Sequence, residues 1–87
     1  MKATKAQLAE NRSLRDLGLA AALSASGLTP RLEDHNGVIH FVFSGEPGKL
    51  QQLEDQYWTG TLKLPVREAF QHLRTLKDRL YAAKGSL

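Results

Sequence analysis

Three histidines and two adjacent carboxylate pairs are the groups in this chain best equipped for chemistry. The histidines are His35, His40 and His72; the carboxylate pairs are Glu33-Asp34 and Glu54-Asp55. A metal centre or a nucleophilic site requires such groups to converge on one point. There is no cysteine, which excludes a thiolate zinc site, a cysteine nucleophile and a disulfide framework together. His35 and His40 are separated by a turn and do not stand directly opposite each other, and no His-x-x-x-His pair lies on a helix. Neighbouring strand residues point to opposite faces, so Glu33 and Asp34 do not share a proton or a metal. Glu33 faces His40 across the strands and is expected to form a polar pair with it. Glu54 and Asp55 diverge by about 100° on a helix and read as a solvated face. No nucleophile elbow, phosphate loop or dinucleotide fingerprint is present. Ser44-Gly45-Glu46-Pro47-Gly48 leads into a helix and reads as a plain turn rather than an anion site. The expectation is a protein without catalytic activity, metal or cofactor.

The basic residues carry more information. Net charge is +3, but it is segregated. Residues 1–15 sum to +3, residues 16–62 to −4 and residues 63–87 to +4. An acidic middle is thus flanked by basic ends, a pattern that suits either an anionic partner or internal complementarity. On the last helix Arg67, Gln71, Arg74 and Asp78 lie along one stripe, with Lys77 and Lys63 beside it. Arg67 and Arg74 are two turns apart, about 10.5 Å, within reach of successive phosphates. Asp78 neutralises the stripe locally and can pair with Arg74 at i, i+4. Lys63, Arg67, Arg74, Lys77, Lys2 and Lys5 are the candidate nucleic-acid contacts. The alternative surface is a protein interface made of Trp58, Val38, His40 and Val42. An exposed Trp is a common interface anchor, and a hairpin edge can pair with another chain or a second copy.

These residues need elements to hold them. Asn36-Gly37 separates two alternating segments, residues 31–35 and 38–43, and supplies the φ > 0 pair that a type I′ turn requires. The resulting register sets His35 against Val38, Asp34 against Ile39, Glu33 against His40, Leu32 against Phe41 and Arg31 against Val42. Leu32, Ile39, Phe41 and Phe43 then share the face that packs on helices. Ser13-Leu14-Arg15-Asp16 has capping-box spacing and predicts a first helix over residues 13–26. Apolar nearly all round from Leu19 to Leu23, that helix should be heavily buried. Gly27 and Leu28 supply the C′ and C″ residues of a Schellman motif, with Leu23 at C3. Leu50, Leu53 and Tyr57 predict a second helix over about residues 47–58, closed by Gly60. Residues 61–64 alternate and are compatible with a short third strand. Pro65 opens a last helix whose apolar stripe is Val66, Ala69, Phe70, Leu73, Leu76 and Leu80.

The predicted architecture is a two-layer α+β domain in the order α-β-β-α-(β)-α, a hairpin on three helices. Residues 1–12 are assigned to a basic tail or short helical extension and residues 13–87 to the domain. At 87 residues the chain holds one small core. No segment has the ~20 apolar residues of a membrane span, and the start reads as no secretory signal; a cytoplasmic setting is expected.

Asp16-Leu17-Gly18-Leu19-Ala20, Gly27, Phe41-Val42-Phe43 and Phe70 with Leu73, Leu76 and Lys77 resemble a small domain of unknown function. That family occurs in bacteria, archaea and their viruses and mobile elements. The resemblance covers roughly residues 13–81 and rests on core and cap positions; Gly18 stands where the family usually has a bulkier residue, a departure that implies room for another element to approach the first helix. It implies a compact module encoded on mobile DNA and supplies no catalytic residue. The expected function is therefore a small nucleic-acid-associated accessory protein of a phage or other mobile element. The alternative is a protein-interaction module, an inhibitor or subunit of a host or phage complex.

Overall fold

A computed structural model describes residues 10–46 and 48–85 of the chain; Lys2, Lys5 and Pro47 lie outside the described residues. The strands are β1 (Glu10–Leu14), β2 (Arg31–His35) and β3 (Val38–Gly45), and the helices α1 (Leu17–Ala25), α2 (Lys49–Thr59) and α3 (Val66–Gly85). The fold is α+β, with a three-stranded antiparallel sheet in the order β1-β3-β2.

The β2–β3 hairpin forms in the expected register, Leu32 against Phe41 and His35 against Val38. Asn36 and Gly37 both take positive φ, 56° and 88°, the pair of left-handed residues a type I′ turn needs. The Asp34 carboxylate accepts the Gly37 N–H at 2.7 Å and braces the turn.

Three expectations are corrected. The third strand is β1, not residues 61–64, and the element order is β-α-β-β-α-α. Its register, Arg12 against Phe43 and Leu14 against Phe41, satisfies the second edge of β3, so β3 is the central strand. The boundary expected after residue 12 therefore cuts through a strand. The first helix starts at Leu17 instead of Ser13, because Asp16 is its N-cap: its Oδ1 accepts the Leu19 N–H at 2.9 Å. A cap carboxylate three residues before the N3 amide satisfies that orphan donor as well as Ser13 would have done, and frees Ser13 for the sheet.

The C-terminus of α1 is the expected Schellman motif. The Leu28 N–H donates to Leu23 O and the Gly27 N–H to Ser24 O, at 3.3 and 3.0 Å. Six consecutive residues of α1, Leu19 to Ser24, are buried. That is the consequence of its position, packed against α3, α2 and β1 at once, and explains why it is apolar all round. Phe41 and Phe43 of β3 and Leu50 and Leu53 of α2 complete the core, with Leu76 from α3.

The last helix departs from its predicted stripe. Among its described side chains only Leu76 is buried, while Val66 and Phe70, expected in the core, are 69% and 63% exposed. Ala69, His72, Leu73 and Leu80 are half-buried. The apolar arc of α3 is wider than the short, small-residue surface of α1 can cover.

Candidate interaction face on the last helix

The uncovered part of α3 has a definite composition. Val66, Phe70, Arg74, Lys77 and Tyr81 recur at intervals of four, four, three and four residues, so they form one stripe. All five are exposed. The stripe is about 22 Å long at 1.5 Å per residue. Arg67 flanks it, and Lys63 lies in the segment before the helix; both are exposed.

These cations differ from those on the sheet. Arg12 pairs with Glu54 at 2.6 Å and with Glu10 at 3.7 Å, and Arg31 pairs with Glu33 at 2.8 Å. Among the described residues the side chains of Lys63, Arg67, Arg74 and Lys77 make no ion pair or hydrogen bond. The expected Arg74–Asp78 pair is not formed. Glu54, read from sequence as a solvated residue, is instead half-buried under Arg12 and ties α2 to β1.

Beside the stripe lies an apolar groove of about 260 Å³. Its walls are Tyr57 of α2, Leu62 and Leu64 of the following segment, and Phe70 and Leu73 of α3; Gly18 and Ala22 of α1 form its floor. A Cβ at Gly18 would sit 2.7 Å from the Tyr57 hydroxyl, so any side chain there would displace the Tyr57 ring. The close approach foreseen at Gly18 is thus made by Tyr57. A second recess of about 220 Å³ adjoins it, lined by Phe70, Leu73, Arg74 and Lys77. The two share Phe70 and Leu73, so an apolar cleft runs into a basic one. Trp58, 63% exposed, stands next to this cleft, its ring edge-on to Tyr57 at 4.9 Å.

The outer sheet face is different. Val38 is exposed and His40 half-buried, but Val42 is 5% exposed. Val42 therefore offers a partner little surface: it sits on the central strand between Ser13 and Arg31. His40 shares a 2.8 Å hydrogen bond with the Ser13 hydroxyl rather than pairing with Glu33. Glu33 bonds along its own strand, to His35 at 3.0 Å and Arg31 at 2.8 Å. Those bonds, His35 first and Arg31 second, hold its carboxyl below the ordinary value of 4.5. The His35 and His40 rings stack diagonally at 4.2 Å, a contact that the register allows but the direct pairing does not reveal.

Two Ser–His pairs arise that the sequence did not disclose. Besides Ser13–His40, the buried Ser24 bonds His72 Nδ1 at 2.8 Å and links α1 to α3. Among the described residues neither imidazole is hydrogen-bonded to a carboxylate, so neither pair shows there the third group that orients a catalytic base. Among the described residues no three metal-capable side chains cluster, and no helix is long and apolar enough to cross a membrane. Comparisons with protein-family models, with curated proteins and with solved structures find no match.

Proposed function

We propose that this protein is a non-enzymatic interaction module that docks a protein partner on the exposed face of α3. The observation that carries this reading is the stripe itself. Val66, Phe70 and Tyr81 are each more than half exposed and aligned on one helix, and Phe70 also lines an apolar groove. Exposed apolar patches of this kind mark interaction surfaces, and aromatic and Arg residues are the side chains that anchor interfaces. This reading keeps the interaction class expected from sequence, with Trp58 at the rim, but moves its centre from the outer hairpin face to α3. The resemblance to a mobile-element domain supports a partner within a host or phage complex.

A second reading, nucleic-acid binding, is favoured by the unpaired Lys63, Arg67, Arg74 and Lys77. Duplex phosphates make use of those cations but not of Val66 or Phe70 between them. A photo-cross-linking amino acid at position 70, in the cells that encode the protein, separates the two. A discrete protein adduct is expected. Adducts with nucleic acid alone, or no adduct, would overturn the proposal. As a check, oligonucleotide binding should be weak, quenched by salt and insensitive to Phe70→Ala.

A further inference from the structure

The α3 face also indicates what kind of partner it takes, an inference that rests on the interaction reading above. The groove is apolar at one end, where Tyr57, Leu62, Leu64 and Leu73 meet. It becomes basic at the other, where Arg74 and Lys77 line the adjoining recess. Phe70 and Leu73 belong to both ends, so one continuous ligand can occupy them. A volume of about 260 Å³ accommodates one large aliphatic or aromatic side chain. Lys77 lies seven residues beyond Phe70, about 10.5 Å along the helix, which is two turns of a facing helix.

Charge complementarity selects among occupants. Arg74 and Lys77 have no carboxylate partner among the described residues, so both are free to pair with carboxylates of an occupant. A second copy of this chain docked through the same helix does not place one there. An antiparallel two-fold pairing of α3 would set Val66 against Tyr81 of the other copy and bring both Arg74 guanidiniums to the axis, a like-charge contact. A polyanionic backbone would satisfy the cations and leave the groove empty.

We infer that the face binds a short acidic amphipathic segment of a partner protein. One bulky apolar side chain enters the groove, and carboxylates one to two turns further on meet Arg74 and Lys77. The mode is that of an amphipathic helix read by anchors at i, i+4 and i+7. The Tyr57 hydroxyl, which has no hydrogen-bond partner among the described residues, stands on the groove wall as a donor or acceptor for the segment's backbone or polar groups.

The test titrates the isotope-labelled full chain with two blocked twelve-residue helical peptides. One carries a single Leu anchor with Glu four and seven residues further on; the other has Lys in place of both Glu. The acidic peptide is expected to shift the amides of Gly18, Ala22, Leu62 and Phe70 saturably. Its affinity should exceed that of the Lys peptide at least ten-fold. In Arg74→Glu/Lys77→Glu the preference should reverse, a result that a folding defect cannot produce. Equal binding of both peptides in the groove overturns the acidic assignment and leaves the interaction reading standing. Binding of neither overturns the inference, and the cross-link from position 70 still reports on the broader reading. Tight single-stranded DNA binding that displaces the acidic peptide and needs Phe70 overturns both.

Discussion

Glu33 and Gly18 show how much one side chain, or its absence, can specify. The Glu33 carboxyl is held low by His35 and Arg31. Because its folded pKa lies below the ordinary 4.5, the interaction contributes fully above that value. The contribution is lost as pH falls from there through the lowered pKa. A carbon-detected titration of Glu33 should show a midpoint below 4.5, raised more by His35→Ala than by Arg31→Gln. A midpoint at or above 4.5 contradicts the assignment. At Gly18 the obstacle to a side chain is the Tyr57 hydroxyl, 2.7 Å from the missing Cβ, whereas the ring carbon behind it is at 3.9 Å. Gly18→Ala should therefore be better tolerated in a Tyr57→Phe background, by at least about 0.5 kcal/mol in a double-mutant cycle. Additive effects would mean that the two residues do not touch. The Asn36-Gly37 turn and Gly27 were legible from sequence because left-handed backbone leaves few residue choices. The Ser13–His40 and Ser24–His72 bonds were not, because each spans elements far apart in the chain.

At the scale of elements, legibility followed apolar content. The hairpin and α1 carry their own periodicity. β1, with the sequence Glu-Asn-Arg-Ser-Leu, has one apolar residue and is specified by its neighbour: the unpaired edge of β3 recruits it. The competing signal was a helix cap. Ser13 and Asp16 both suit an N-cap, and Asp16 holds the position. Asp16→Ala should cost about 1 kcal/mol in thermal or denaturant unfolding. Ser13→Ala, on an exposed sheet edge, should cost less than half of that. Reversed costs would place the helix start at Ser13. The last helix illustrates a different limit. Periodicity identifies which residues share a face, but the width of that face that gets covered depends on the partner. α1 presents small residues, Ala21 and Ala22 among them, and leaves Val66 and Phe70 outside.

For the molecule as a whole, Arg67, Arg74 and Lys77, which no ion pair neutralises, coincide with uncovered apolar residues on α3, while Arg12 and Arg31 of the sheet are paired with Glu10, Glu33 and Glu54. The segregated charge seen in the sequence is thus partly internal, at Arg12 and Glu54, and partly outward, at Arg74 and Lys77. The groove is assembled from residues between Gly18 and Leu73, so no local motif could have announced it; the sequence offered only its basic rim and Trp58. The central claim is that α3, and not the outer hairpin face, is the docking surface. The most direct measurement compares the affinity of the acidic peptide for Phe70→Ala and Val38→Ala. Both residues are exposed, so each truncation should leave stability within about 0.5 kcal/mol. Phe70→Ala is predicted to weaken binding at least ten-fold and Val38→Ala less than two-fold. Loss of binding in Val38→Ala with full affinity retained in Phe70→Ala would contradict the account.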